Sequence, residues 1–281
     1  MSAAASLPAI PPSWAGIGPD PAVMGILNAT PDSFSDGGAH LDPGRAIEAG
    51  RRMVAEGAAL LDIGGESTRP HAAPVPVEEE QRRVLPILRG LRDAGVLLSI
   101  DTRNAATMAA ALDAGAAIVN DVSALAHDPA AASLVARRGC PVVLMHMRGS
   151  PETMAALADY ADVAAEVTRE LAVRIEAAEA AGIARDRIAI DPGIGFAKRV
   201  RHSLEMLRRL PLLLNLGCRI VVGVSRKSFI SGAADISDPQ DRLPGSLAAA
   251  LFALSRGASI LRVHDVAATV QAVRIWRALA E

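Results

Sequence analysis

The sequence predicts one α/β domain of the (β/α)8 TIM-barrel class. Three observations carry the prediction. Short apolar segments of strand length alternate eight times with segments of helical spacing. The apolar segments are continuous, as in parallel strands buried on both faces. No Ser/Gly run or charge block divides the chain into two domains. A doubly wound open sheet remains the alternative, because a count of units from sequence can be wrong by one.

The predicted units follow an irregular N-terminal extension, residues 1–21, whose five prolines disfavour a helix. Residues 22–281 are assigned to the barrel. The predicted strands are Val23–Leu27, Ala59–Ile63, Leu97–Ile100, Ala117–Val119, Pro141–Met145, Ile188–Ile190, Ile220–Gly223 and Ser259–Val263. The predicted helices lie near residues 43–56, 78–93, 104–114, 128–138, 161–181, 202–215, 244–256 and 265–279. Asp42-Pro43 and Asp128-Pro129 each place a capping carboxylate before a proline suited to a first helical turn.

Composition excludes several classes of protein. The 281 residues are 51% hydrophobic and 21% charged, which is typical of a globular domain. The net charge of −2 provides no basic field for nucleic acid or an anionic membrane. No apolar segment approaches the roughly 18 residues of a membrane span. Cys140 and Cys218 lie beside apolar segments, so we expect two buried thiols in a reducing, cytoplasmic compartment.

Lysine is rare in this chain. Of the 29 basic residues only Lys198 and Lys227 are lysines, and the other 27 are arginines. A lysine retained in such a background suggests a need for a compact ammonium group. Because Lys227 follows the seventh predicted strand, we expect it to be functional. Lys198 is expected to lie at the surface.

Polar residues follow nearly every predicted strand, whereas the strand beginnings are mostly plain. They are Asn28, Asp62–Glu66, Asp101, Asn120-Asp121, His146, Asp191, Ser225–Ser228, Arg262 and His264. The carboxyl ends of barrel strands meet at one face, where active sites of this fold lie. The loops after the first two strands, residues 28–41 and 64–77, are long and rich in small polar residues, which is typical of lids. The pattern predicts an enzyme with a polar ligand.

These same segments resemble the dihydropteroate synthase family. The motifs are NATPDSFSDGG (28–38), GGESTRP (64–70), IDT (100–102), NDVS (120–123), LMHM (144–147), DPGIGFAK (191–198), SRKS (225–228) and RVHD (262–265). One motif follows each strand, in order, from about residue 23 to the C-terminus. Two departures, Ala29 for the more usual valine and Ala197 for a frequent glycine, remove no hydrogen-bonding group.

The resemblance implies a barrel that joins 6-hydroxymethyl-7,8-dihydropterin pyrophosphate to p-aminobenzoate, forming 7,8-dihydropteroate and pyrophosphate in folate biosynthesis. It also implies the pterin contacts. Asp191 would accept two adjacent N–H groups of the ring, and Lys227 would donate to the ring carbonyl. The implied pterin site comprises Asp101, Asn120, Met145, Asp191, Phe196 and Lys227. The implied catalytic residues are Asp101, Asp191, Lys227 and Asp36.

Each pterin residue also has a structural interpretation. Asp191 could close an ordinary turn, and Asn120 or Asp101 could cap a helix. Three caps at neighbouring strand ends are less plausible than a shared site. Met145, His146 and Met147 form either the floor under the pterin or simply core, and the sequence leaves both open.

The leaving diphosphate needs cationic groups and a metal. By the resemblance, Asn28 coordinates Mg²⁺, and the diphosphate contacts are Asn28, Thr68, Arg69, Arg262 and His264. Magnesium keeps several waters and few protein ligands, so a single amide oxygen suits it. In the structural alternative, Arg262 and His264 are merely the exposed side chains at a strand end, with Val263 buried between them.

The resemblance builds the p-aminobenzoate slot largely from the two long loops. The implied residues are Phe34, Thr68, Arg69, Pro70, Phe196, Lys227 and Ser228. We expect this slot to form only after the pterin pyrophosphate has ordered the loops. Residues near 30–40 and 66–76 should then be mobile in the unliganded protein.

The implied chemistry is an S_N1-like displacement in which Asp101 and Asp191 stabilise positive charge on the ring, while Mg²⁺, Arg262 and His264 stabilise the departing anion. Three alternatives remain. A pterin-dependent methyltransferase barrel would have no use for the diphosphate residues. An aldolase acting through Lys227 would want that lysine within a strand. An inactive homologue would only bind pterin or a partner protein.

The last helices predict an assembly. Ser246–Ser255 is apolar nearly all round, and Val266–Ala280 carries few charges. A barrel buries one stripe of each helix, so apolar surface, Phe252 or Trp276 included, should remain. We expect a homodimer through this region, as the resemblance also implies.

Overall fold

The computed structural model describes residues 13–30, 42–67 and 74–280. Within them, eight parallel strands close into a barrel in chain order, and β1 pairs with both β2 and β8. The barrel prediction is confirmed, and the doubly wound alternative is wrong. The strands are β1 (Ala22–Asn28), β2 (Leu60–Gly64), β3 (Leu97–Asp101), β4 (Ile118–Asp121), β5 (Val142–Met145), β6 (Ile188–Asp191), β7 (Arg219–Val222) and β8 (Ile260–Val263).

Helices follow the strands and cover the outside of the barrel. The described helices are α1 (Pro43–Ala55), α2 (Val77–Leu91), α3 (Ala105–Ala114), α4 (Ala131–Arg138), α5 (Val163–Ala180), α6 (Val200–Arg208), α7 (Ser228–Ala234), α8 (Leu243–Ser255) and α9 (Val266–Ala280). Asp42 caps α1 as predicted, since its side chain accepts from the Gly44 N–H. The core lies mainly between strands and helices, and strands β2, β4, β5, β6 and β7 are buried throughout.

Two predicted helices differ in detail. The helix expected near 202–215 divides into α6 and a 3-10 segment, Leu210–Leu216, because Pro211 lacks the N–H that would continue the helix. The helix expected from residue 128 begins at Ala131. There the Asp128 carboxylate accepts from the N–H groups of Ala130 and Ala105, and so ties the segment before α4 to the start of α3.

The amino end of the barrel is filled mainly with apolar side chains. Trp14, only 2% exposed, packs there against a cluster that includes Met24, Leu60, Ile118 and Val143. Its indole N–H donates to the Arg187 carbonyl at 2.9 Å. The segment before β1 therefore closes this end of the barrel.

The described part of the chain contains no helix that is both long and apolar enough to cross a membrane. Cys140 and Cys218 are free and buried, as predicted. Burial raises the pKa of both thiols, so they are unreactive at neutral pH.

Candidate active site

Strand register brings the predicted residues together at the carboxyl end of the barrel. Asn28 lies opposite Gly64, which lies opposite Asp101, and Asp101 lies opposite Asn120. On the other side, Asp191 lies opposite Met145. The polar groups that the sequence places at separate strand ends thus face a common space.

Arg262 links the buried carboxylate of Asp62 to the largely buried carboxylate of Asp101. Its Nε donates to Asp62 Oδ2 and its Nη2 to Asp101 Oδ2, both at 2.6 Å. Asn120 Nδ2 donates to the same oxygen of Asp62 at 2.9 Å. Burial raises the pKa of Asp101 to about 7, although Arg262 opposes this. Arg262, Asp62, Asp101 and Asn120 therefore form one connected set.

Asp62 belongs to this set but was not among the predicted binding residues. It is fully buried, and its Oδ1 has no hydrogen-bond partner among the described residues. The sequence did contain a signal, because a carboxylate inside the apolar strand LLDIG is unusual. Asp62 was counted among the polar residues at strand ends but was assigned no binding role.

Asp191 is held by two backbone contacts. Its Oδ1 accepts from the Gly193 N–H at 2.6 Å, and its carbonyl accepts from the His146 N–H at 2.9 Å. The turn interpretation is thus correct for one oxygen. A Cβ at Gly193, where φ is +65°, would lie 2.0 Å from the His146 carbonyl oxygen, so only glycine fits. Burial raises the Asp191 pKa, against the nearby Lys227.

Lys227 lies between Asp191 and Phe196. Its ammonium donates to the Ile194 carbonyl and stands 4.7 Å from the centre of the Phe196 ring. Burial lowers the pKa of Lys227 to about 8, while Asp191 acts in the opposite direction. Lys227 therefore lies with Asp191 at the carboxyl end of the barrel, and its role toward the pterin stays a prediction.

The β7 and β8 ends support each other. The His264 backbone N–H donates to Ser225 Oγ at 3.2 Å, and its Nδ1 lies 3.1 Å from the same oxygen. Arg226 pairs with Asp265 through two bonds. Ser228 begins α7 and is exposed at the rim of the site.

Val263 is buried between Arg262 and His264, as both interpretations of that motif required. Arg262 nevertheless faces two carboxylates rather than open solvent. It is therefore part of the site and not an ordinary exposed strand-end residue.

Asn28 is half-buried at the end of β1. In the described ranges, no three His, Cys, Asp or Glu side chains converge as a metal site. A Mg²⁺ ion here would be held by the Asn28 amide oxygen, substrate oxygens and water. This donor set fits magnesium, which binds proteins through few oxygen ligands.

Five predicted residues lie outside the described residues: Phe34, Asp36, Thr68, Arg69 and Pro70. The expected mobility near 30–40 and 66–76 falls largely outside them too. At the near end of the second loop, Glu66 pairs with Arg103 at 3.1 Å and accepts from the Val75 N–H at 3.2 Å.

The prediction that Lys198 lies at the surface is wrong. Its side chain is 8% exposed. Its Nζ lies 2.9 Å from His146 Nδ1 and 3.1 Å from the Phe196 carbonyl oxygen. The segment after β6 folds back over the barrel end and turns this lysine inward. The inference that a rare lysine is retained for a functional need applied to Lys198 as much as to Lys227.

His146 and Met145 are both buried beside this segment. His146 bonds Lys198 and Glu170 through its two ring nitrogens. It therefore belongs to a polar network, which is more than the plain core interpretation allowed.

A closed parallel barrel with buried carboxylates, an amide and two lysines at its carboxyl face is a TIM-barrel enzyme for a polar small molecule. The family described as pterin binding enzyme matches residues 24–264. The chain belongs to this family, and its relatives there are dihydropteroate synthases, as the motifs indicated.

The dihydropteroate synthase of Synechocystis sp. is 44% identical over 258 residues, which cover 92% of this chain and 89% of that protein. A probable bifunctional folylpolyglutamate synthase/dihydropteroate synthase of Haloferax volcanii is 48% identical over 254 residues, 90% of this chain, but the chain spans only 30% of that protein.

Among solved structures, the Xanthomonas albilineans dihydropteroate synthase with 4-aminobenzoic acid is 48% identical, with a TM-score of 0.90. The match covers 96% of this chain and 98% of that one. The same enzyme in complex with 7,8-dihydropteroate gives 48% identity and a TM-score of 0.85, covering 93% and 94% of the two chains.

Proposed function

We propose that this protein condenses 6-hydroxymethyl-7,8-dihydropterin pyrophosphate with p-aminobenzoate to give 7,8-dihydropteroate and pyrophosphate. The observation that carries the proposal is the convergence of Asp101, Asn120, Asp191 and Lys227 at one end of the barrel. The Xanthomonas relative binds both the product and one of these substrates.

The pterin ring would lie among these groups. Its adjacent N–H groups match the carboxylate of Asp191, whose position is set by Gly193 and His146. Asp101 and Asn120 complete the hydrogen bonds at the opposite edge, and Lys227 donates to the ring carbonyl. Met145 and Phe196 provide apolar contact.

The diphosphate would extend toward Asn28, Arg262 and His264, with Thr68 and Arg69 from the second loop. A Mg²⁺ ion held at Asn28 would neutralise charge on the departing diphosphate. Arg262 bonds Asp62 and Asp101 in the structure. Its guanidinium is therefore already oriented before the diphosphate binds.

The p-aminobenzoate slot would be formed by Phe196, Lys227 and Ser228 on the described side. Phe34, Thr68, Arg69 and Pro70 would complete it from the two loops. The amine can attack only after these loops exclude water, which would otherwise capture the cation. p-Aminobenzoate should therefore bind only after pyrophosphate or the pterin pyrophosphate has bound.

The protein's contribution to the displacement is electrostatic. Asp101 and Asp191 face the ring on which positive charge develops, and neither needs to act as a nucleophile. Asp36 joins them in the catalytic set through the first loop. Removal of one such charge should raise the barrier by about 3–4 kcal/mol, by analogy with oxyanion-hole donors.

The test is pyrophosphate release measured with each substrate alone and with both together. Release that requires both substrates supports the proposal. Methyl transfer from a methylated pterin without pyrophosphate release would instead identify the methyltransferase-type alternative. Pterin binding without either reaction would identify an inactive homologue.

We also propose a homodimer that forms through α8 and α9. Phe252 on α8 is 38% exposed, and Ile275 and Leu279 on α9 are 60% and 83% exposed. Trp276, which the sequence analysis offered with Phe252 as apolar surface left exposed, is half-buried and packs on the core. Light scattering at micromolar concentration should give twice the chain mass, and a monomer would contradict the proposal.

A further inference from the structure

The ammonium of Lys198 joins two neighbouring parts of the barrel end. We call residues 191–198 the β6 loop, and Lys198 is its last residue. One partner of Lys198, the Phe196 carbonyl at 3.1 Å, lies within this loop. The other, His146 Nδ1 at 2.9 Å, follows β5. A single buried atom thus ties the β6 loop to the adjacent strand.

The direction of these hydrogen bonds follows from the state of His146. Burial lowers the pKa of His146 to about 4, so its ring is neutral at pH 7. Burial works against ionisation of Glu170, but bonds from His146 and Arg148 hold its pKa at about 2. The His146 Nε2, 2.9 Å from this carboxylate, therefore carries the proton. Nδ1 is left to accept from Lys198.

Lys198 is itself in an unusual position for a cation. Burial lowers its pKa to about 7. Asp191 and Glu170 favour its charged form, whereas Lys227 and Arg148 disfavour it. Burying an ammonium group is unfavourable unless it is hydrogen-bonded, and a lysine without a specific role keeps its ammonium in water. The burial of Lys198 against two acceptors therefore indicates a specific role for its position.

The two halves of the β6 loop are anchored differently. Asp191 is paired in the sheet with Met145, and it is held further by the N–H groups of His146 and Gly193. Among the described residues, the later half makes one backbone–backbone bond, the turn bond from the Phe196 N–H to the Gly193 carbonyl at 3.0 Å, and the Lys227 ammonium bonds the preceding Ile194 carbonyl. Ala197 then adopts φ of +46°, which is unfavourable for a residue with a Cβ. The Phe196 backbone is therefore held mainly by Lys198, and the Phe196 ring contacts Lys227 on its other side.

We propose that Lys198 is a positioning residue for p-aminobenzoate: its bonds to His146 and to the Phe196 carbonyl hold the Phe196 ring beside Lys227, where the slot for this substrate forms. The inference rests on the proposed function. A lysine suits the task because one ammonium nitrogen donates to two acceptors, whereas arginine spreads its donors over a planar fork. This accounts for the second of only two lysines in the chain.

The test compares Lys198→Met with the wild type in steady-state kinetics and in calorimetry with pterin pyrophosphate. Loss of a charge-assisted bond should raise KM for p-aminobenzoate by about tenfold or more. Affinity for pterin pyrophosphate should fall by no more than about threefold, because Asp191 keeps its own anchors and only the apolar contact of Phe196 with the ring is weakened. A role limited to general stability would not separate the two substrates in this way.

A pair of His146 variants tests the same contact from the other side. His146→Asn retains an acceptor close to the position of Nδ1, and its KM for p-aminobenzoate should stay near that of the wild type. His146→Leu removes the acceptor and should behave like Lys198→Met. If Lys198→Met does not fold, this pair decides the question.

Arg219→Met is the matched control, because it removes a buried cation at the amino end of the barrel. It should lower the melting temperature and leave KM for p-aminobenzoate unchanged. The proposal is overturned by an unchanged KM in folded Lys198→Met, by an equal loss of pterin affinity, or by equal impairment of the two His146 variants. If the wild type releases no pyrophosphate, the proposed function fails, and calorimetry of p-aminobenzoate with pyrophosphate present still tests Lys198.

Discussion

The two ends of the barrel are built from the same eight strands but have opposite chemistry. The carboxyl end buries Asp62 and Asp191 and largely buries Asp101, with basic partners at its centre. The amino end is filled mainly with apolar side chains and closed by Trp14, and the buried Arg219 there bonds Ser259. Buried charges oppose folding unless they are paired, so their concentration at one end indicates that they serve a ligand.

The comparison separates two kinds of substitution. Changes at the carboxyl end should remove binding or turnover with little loss of stability. Changes at the amino end should remove stability and leave the reaction untouched. Four predictions test this division, from the largest expected effect to the smallest.

Asp191→Ala should abolish pterin binding. The ring's two N–H groups would lose the acceptor that faces them in a buried site. Calorimetry with pterin pyrophosphate should show no measurable heat of binding, while the unfolding midpoint stays near that of the wild type. Unchanged affinity would show that the pterin edge lies elsewhere.

Trp14→Ala should lower the free energy of unfolding by about 3–5 kcal/mol, because it removes a large side chain buried at the amino end of the barrel. Urea unfolding measures the change. At temperatures where the variant is folded, kcat/KM for both substrates should match the wild type within about twofold. A selective fall in kcat/KM would show that the two ends are coupled.

The pH profile of kcat/KM for pterin pyrophosphate should be bell-shaped. Below about 7 Asp101 takes up a proton and loses its negative charge beside Arg262, and above about 8 Lys227 loses its proton. Activity should fall by about tenfold per pH unit beyond each limit. Lys227→Arg keeps its charge at all these pH values and should lose the alkaline limb. Trp14→Ala should keep both limbs.

Ala197→Gly should stabilise the protein by about 0.5 kcal/mol. Its positive φ of +46° is unfavourable for alanine by about 1–2 kcal/mol, and the greater freedom of glycine in the unfolded chain offsets part of the gain. Ala172→Gly, within α5, is the control and should destabilise by about 1 kcal/mol. A loss of stability in Ala197→Gly would show that this end carries no backbone strain there.

The barrel was predictable because its signals are local. Continuous apolar segments such as VVLM specify buried parallel strands, and a polar residue after each strand locates the ligand face. Asp101, Asn120, Asp191 and Lys227 all come from this rule, and the structure brings them together. The motifs indicated the family for the same reason, because each one is a short continuous segment after a strand.

The missed features depend on contacts between distant segments. The inward turn of Lys198 requires the β6 loop to fold against His146, 52 residues away in sequence. The pairing of Asp62 with Arg262 spans 200 residues. In the sequence, Trp14 belongs to a proline-rich extension, and only its packing shows that it closes the amino end of the barrel. Local propensity contains none of this information.

The most direct test of the account is a crystal structure with 6-hydroxymethyl-7,8-dihydropterin pyrophosphate and Mg²⁺. The account predicts the ring at the carboxyl end with its paired N–H groups on Asp191, Asp101 and Asn120 at the other edge, and the diphosphate beside Asn28 and His264. A pterin bound elsewhere, or bound with its diphosphate pointing away from Asn28, would contradict it.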